Sequence, residues 1–108
     1  MKNSLPAETL NRNYDPATYR MRTFLDVSDS FLEGSDSPRD YLERCLECID
    51  SREPQIKAWV VSNLEDARKA ADESGKRYRQ GKPLSVIDGM PLGIKDVLQT
   101  RDMPTELG

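Results

Sequence analysis

Lys95 is the residue in this sequence best placed to do chemistry. It stands in Asp88-Gly89-Met90-Pro91-Leu92-Gly93-Ile94-Lys95-Asp96-Val97, a lysine inside an otherwise apolar run punctuated by Gly and Pro. Leu92, Ile94 and Val97 suggest a short buried strand entered through a Gly-Met-Pro turn. An ammonium carried into such surroundings is stripped of water, a cost that is relieved only if it loses its proton or finds partners, so a buried lysine is a functional candidate. The same spacing fits a lysine that points to solvent from an edge strand, the commoner fate of lysine beside an apolar run. Asp96 would face the other side of a strand and suits a structural hydrogen-bond acceptor. Ser85 lies ten residues before Lys95 without the Gly-rich turn that exposes a nucleophile, so a Ser/Lys dyad is set aside.

Cys45 and Cys48 form a C-x-x-C. Zinc needs about four ligands, and the chain has no histidine and no second cysteine pair. A redox pair should open a helix after a strand, whereas these two lie inside a helical pattern. They read as reduced, core-facing thiols.

Gly89-Met90-Pro91, Ile94-Lys95-Asp96, Thr100, Pro104-Thr105 and Gly108 together resemble the opening motif of the amidase signature family. There a G-I-P turn leads to a K-D pair and then a T-x-G-x-P-T-x-x-G-S segment. The resemblance covers about Ser37 to Gly108. It implies hydrolysis of a carboxamide by a Ser–cis-Ser–Lys triad, whose lysine maps onto Lys95 as the only catalytic residue in this chain. That lysine must work in its neutral form, with a pKa depressed by burial. Neither serine is matched, because nothing like G-G-S-S-G-G occurs, and the oxyanion hole is expected to be missing with them. The sequence ends one residue before the serine that closes the motif, which suggests a truncation. Met90 replaces the turn's isoleucine, Asp102 replaces a glycine, and Ser85-Val86-Ile87-Asp88 stands where G-P-L-x is usual.

The elements that must position Lys95 follow from pattern. Residues 1–14 read as a polar, flexible arm. Asp15-Pro16 is a helix start, and Met21, Phe24, Leu25, Ser28, Phe31 and Leu32 form one stripe of a helix over 16–33, stopped at Gly34. Ser37-Pro38 caps a second helix over 38–52, with Tyr41, Leu42, Cys45, Leu46 and Ile49 inward and Pro54 as its end. Residues 55–62 read as extended. Asn63 caps a third helix over 64–80, with Leu64, Ala67, Ala70, Ala71 and Tyr78 as its packing face. Glu65–Lys69 and Asp72–Lys76 form solvated i,i+4 pairs. Residues 15–82 are thus a helical region, and 83–108 open the amidase core with a Lys-bearing strand. The fold class expected is α/β: a helical segment plus the first strand or strands of a mixed-sheet amidase signature fold, incomplete in this chain.

With 108 residues, 36% hydrophobic and 32% charged, the chain allows one domain with a thin core. A net charge of −3 with interleaved signs argues against nucleic acid as partner. No apolar run or leader suggests a membrane, so a cytoplasmic protein is expected. No cofactor or metal is implied. Expected partners are a small-molecule amide substrate in the complete enzyme, and the remainder of the amidase domain or a homo-oligomer mate. The 108-residue chain alone is expected to be inactive. The alternative is a non-catalytic helical interaction module or accessory subunit of an amidase or amidotransferase complex.

Overall fold

The computed structural model describes residues 15–18 and 23–106. Within them lie three helices, α1 (Leu25–Glu33), α2 (Pro38–Ile56) and α3 (Leu64–Arg79). The arm over residues 1–14 and the stripe residue Met21 fall outside the described residues.

Asp15-Pro16 starts a turn rather than a helix. The Ala17 N–H donates to Asp15 Oδ1 at 2.9 Å and the Thr18 N–H to the Asp15 carbonyl at 3.0 Å. The aspartate thus satisfies its own neighbours locally. Helix α1 begins only at Leu25, where Asp26 accepts the Thr23 N–H at 3.0 Å, the carboxylate half of a capping box. Gly34 ends α1 at φ 84°, giving its N–H to the Ser30 carbonyl. Ser28 and Phe31 are buried, whereas Leu25 and Leu32, expected in the same stripe, are exposed.

Ser37 caps α2 by accepting the Asp40 N–H at 3.1 Å, with Pro38 fully buried in the first turn. Pro54 does not end this helix, which runs on to Ile56. A proline removes one hydrogen bond, but a turn can continue when its other groups are held. Here Glu53 holds them. Its carbonyl accepts the Lys57 N–H at 2.8 Å, and its carboxylate accepts the Ala58 and Trp59 N–H groups at 2.8 and 2.7 Å. Lys57 takes the left-handed conformation at φ 52°. The extended stretch expected over 55–62 is thereby corrected: its first two residues are helical.

Asn63 precedes α3 without capping it by its oxygen. Its Nδ2 donates to Asp66 and Asp102, each at 3.0 Å, the orientation two acceptor-only carboxylates demand. The buried face of α3 is Ala71, Ser74, Gly75 and Tyr78, rotated from the expected one, and Leu64 and Ala70 are exposed. Both α1 and α2 pack against α3. At their junction Phe31 meets Tyr78 edge-on with ring centroids 5.3 Å apart, and Phe24 and Tyr41 complete the cluster at 5.7–6.1 Å. Each such pair contributes about 0.5–1.5 kcal/mol beyond its buried area.

The α2–α3 seam is closed by charge. Glu43 accepts from Arg68 Nε and Arg39 Nε, both at 2.8 Å, and Arg39 reaches across to Asp72 at 2.7 Å. Asp72 is therefore drawn between helices rather than along α3 to Lys76. Arg68 first, then Arg39, lower the Glu43 pKa from 4.5 to about 2.

Among the described residues there is no strand, so the Lys-bearing strand expected after residue 83 is not formed among them. A strand needs a neighbour to take its N–H and C=O groups, and no second extended segment among the described residues pairs with Met90–Val97. No described helix is long and apolar enough to cross a membrane.

Candidate active site around Lys95

The path to Lys95 starts at the buried carboxylate of Asp88. Helix α3 presents Ser74, Arg77 and Tyr78 on adjacent turns of one face, and the chain returns past them after Gly81. Asp88 Oδ1 accepts from Ser74 Oγ at 2.8 Å and Arg77 Nη2 at 2.7 Å, while Oδ2 accepts from Arg77 Nε at 2.8 Å and the Leu84 N–H at 2.9 Å. The Tyr78 hydroxyl donates to the Asp88 carbonyl at 2.8 Å. The Arg77 guanidinium, helped by Leu84 and Ser74, holds the Asp88 carboxyl far below the usual carboxylate range against the opposing effect of burial.

Gly89 follows at φ 88°, pressed so close to the helices that a Cβ there would lie 2.9 Å from Ser74 Oγ and 3.1 Å from the Pro38 ring. Only glycine meets both demands, the left-handed backbone and the close approach.

From there Met90 to Ile94 runs without regular secondary structure, passing Trp59 at Gly93. A Cβ at Gly93 would come within 3.0 Å of the indole, so the ring lies against the bare backbone of this residue. Trp59 is held in turn by Glu53 through its amide. Lys95 then enters a tight turn, its carbonyl accepting from the Val97 and Leu98 N–H groups at 2.7 and 3.1 Å. Its side chain is exposed. Asp96 accepts the Glu106 N–H at 2.9 Å, and Thr105 Oγ1 donates to the Leu98 carbonyl at 3.1 Å. The segment after the lysine is thereby folded back beside it. Together these residues border an open cleft of about 520 Å³ whose walls include Trp59, Val60, Leu92, Lys95, Leu98 and Met103.

Lys95 therefore borders a largely apolar cleft and is exposed to water. Asp96 takes the acceptor part expected of it. Ser85 closes a turn, its Oγ accepting the Ile87 N–H at 3.2 Å. Cys45 is half-buried, and burial pushes its thiol pKa up, whereas Cys48, one turn on, is exposed, so the two are not both core-facing as expected. No group of three or more metal-ligating side chains occurs among the described residues. Asp88 was missed by sequence reasoning. The available signal was a carboxylate at the head of an apolar run, which calls for a cationic partner nearby.

The model of the amidase family matches residues 40–108. The chain is similar to the A subunit of glutamyl-tRNA(Gln) amidotransferase from Chloroflexus aggregans, with 46% identity over 66 residues, 61% of this chain and 14% of that protein. It is similar also to the mitochondrial A subunit of glutamyl-tRNA(Gln) amidotransferase from Rattus norvegicus, 34% identical over 84 residues (78% of this chain, 16% of that one). The corresponding protein of Leptospira interrogans is 33% identical over 84 residues, again 78% of this chain and 17% of the relative. The chain thus spans about one sixth of the length of the curated relatives it matches. No solved structure matches it. With more than half its residues inside the family match, including Lys95 and the turn that delivers it, the chain belongs to the amidase family.

Proposed function

We propose that this chain is the N-terminal, lysine-bearing part of a cytoplasmic Ser–cis-Ser–Lys amidase that hydrolyses a carboxamide C–N bond, with Lys95 as its base. The observation that carries the reading is the placement of Lys95 inside the family match, at the rim of an apolar cleft on a segment held at both ends. A serine supplied from outside residues 1–108 attacks the amide carbonyl. Its proton passes through the bridging serine to the neutral Lys95 amine and from there to the leaving nitrogen, and water then cleaves the acyl-enzyme. Lys95 is exposed in this chain, so the surface that makes its neutral form accessible arrives with the serines. In the whole protein Met90–Val97 becomes a strand of a mixed α/β sheet once a neighbour takes its backbone groups. The 108 residues alone are inactive.

The test is Lys95→Ala in the protein as its cell makes it. Carboxamide hydrolysis is expected to fall by about 10³-fold or more with helix content unchanged. Retained turnover would remove Lys95 from the mechanism.

A second reading, a non-catalytic helical module or accessory subunit of an amidase or amidotransferase complex, draws on the surface. Among the described residues, thirteen large apolar side chains are at least 40% exposed, Val86, Leu92 and Leu98 included, more than an isolated soluble unit tolerates. The relatives are named as subunits of an amidotransferase. The mass of the native protein and the chains that co-purify with it distinguish the two.

A further inference from the structure

We propose that Asp88 is a positioning residue for Lys95: by gripping Arg77, Ser74 and the Leu84 amide while Gly89 seats on Pro38, it sets the direction in which Met90–Lys95 leaves the helices. This deepens the reading of Lys95 as the base and rests on it.

Among the described residues, no backbone hydrogen bond ties Pro91–Lys95 to a helix. Its course is set by three side-chain fixtures: Asp88–Gly89 upstream, Trp59 against Gly93 midway, and Asp96 on the Glu106 amide downstream. Of the three, only Asp88 is buried, at 8% exposure. It is bonded by two helix side chains, Ser74 and Arg77, and these belong to the same helix that carries Tyr78 into the aromatic core. Trp59 is 41% exposed, so it can follow the segment rather than hold it. Six residues of chain span at most about 20 Å. A change of about 3° in the direction taken at Gly89 then displaces Lys95 by about 1 Å, and a misplacement of that size costs up to about 100-fold in rate. Nothing in the packing of α1–α3 requires a carboxylate at position 88, because their contacts run through the aromatic cluster and the Glu43 network. Its four donors converge on the start of the lysine segment instead.

The experiment compares wild type, Asp88→Asn and Lys95→Ala in the full-length protein. It reads amide exchange at Leu84 and Met90, the rate and pH profile of amine acetylation at Lys95 against Lys57 and Lys69, and kcat and KM on simple primary carboxamides. The Asp88→Asn side chain keeps the volume but turns an N–H donor group towards Arg77 or Leu84. Exchange at Leu84 and Met90 is expected to rise about tenfold or more, with amides in mid-α2 such as Leu46 unchanged. Acetylation of Lys95 should shift about threefold or more in rate or profile while Lys57 and Lys69 stay as in wild type. A fall in kcat on the order of 100-fold, with KM nearly constant, completes the pattern. Faster exchange with Lys95 acetylation and kcat as in wild type overturns the proposal, leaving Asp88 a stability residue. Unchanged exchange overturns it too. If Asp88→Asn loosens the helices as well, Ser74→Ala replaces it, removing one donor and keeping the Arg77 pair. The same changes, about threefold in size, then support the proposal, and their absence refutes it. Full turnover in Lys95→Ala would remove the catalytic reading by itself, while exchange and acetylation still decide whether Asp88 places the Lys95 segment.

Discussion

Replacing Gly89 by alanine separates the backbone demand at the start of the lysine segment from the packing demand. Among the described residues three glycines have positive φ: Gly34 at 84°, Gly81 at 70° and Gly89 at 88°. An added Cβ meets nothing within 4 Å at Gly34, so Gly34→Ala carries only left-handed strain, about 1–2 kcal/mol. At Gly89 the same Cβ would stand 2.9 Å from Ser74 Oγ and 3.1 Å from Pro38 Cβ and Cγ. Neither neighbour can yield cheaply. The Pro38 ring is fully buried in the first turn of α2, and Ser74 Oγ is committed to Asp88 at 2.8 Å. Turning Ser74 away would cost Asp88 a buried donor, about 1–3 kcal/mol. Moving the backbone instead is an overpacking response of about 1–3 kcal/mol. Gly89→Ala should therefore destabilise by about 2–5 kcal/mol, at least about 1 kcal/mol beyond Gly34→Ala. Urea unfolding of both variants, followed by far-ultraviolet circular dichroism, reads the difference directly. A gap below about 0.5 kcal/mol would show that Gly89 is not seated on Pro38 and Ser74, and the account of how the lysine segment is launched would fall with it.

Two further perturbations probe the parts that surround that turn. Glu43 has its pKa depressed from 4.5 to about 2 by Arg68 and Arg39; its contribution to stability is whole above pH 4.5 and is lost as pH falls towards about 2. Glu43→Gln should therefore flatten the acid limb of stability in that window, and an unchanged limb would mean the α2–α3 charge network is not formed. Glu53→Gln leaves a side chain with one acceptor for the two N–H groups of Ala58 and Trp59. The emission of Trp59, the single tryptophan of these 108 residues, should shift to the red and become more open to iodide quenching; a wild-type spectrum would deny Glu53 its clamping part.

Which features could be read from sequence depended on whether their cause is local. Ser37-Pro38 and Gly34 act within one turn, and both do at the helix ends what their residue types dictate. Pro54 misled because its effect depends on Glu53, whose carboxylate secures the two residues after the helix. The α3 face was misjudged for a similar reason. Ala67 and Ala70 carry the hydrophobic signal, but Ser74 and Gly75 are buried because Asp88 and Pro38 lie against them. A serine and a glycine give no periodic apolar signal, so a face built for a buried carboxylate is invisible to a hydrophobic count. For Lys95 the spacing fitted both a buried and a solvent-facing lysine; it is exposed in this chain, and spacing could not decide between them because burial depends on what lies across the cleft.

The contrast between the helices and the lysine segment has one physical root. A helix satisfies its backbone within itself and needs only a stripe to pack, and α1–α3 find that in one aromatic cluster and one charged seam. An extended segment has no such internal partner. Met90–Lys95 is consequently bounded by side chains, Asp88 before it and Asp96 after it, with Trp59 lying against Gly93, while Leu92, Ile94, Val97 and Leu98 stay between 43% and 68% exposed. Those fixtures act on the ends and the middle of the segment, and among the described residues Leu92–Ile94 make no backbone–backbone hydrogen bond, which is the arrangement an incoming strand requires. The approach to Lys95 is thus set from α2 and α3 through Pro38, Ser74 and Arg77, and in the function proposed above its desolvation depends on the surface that completes the cleft.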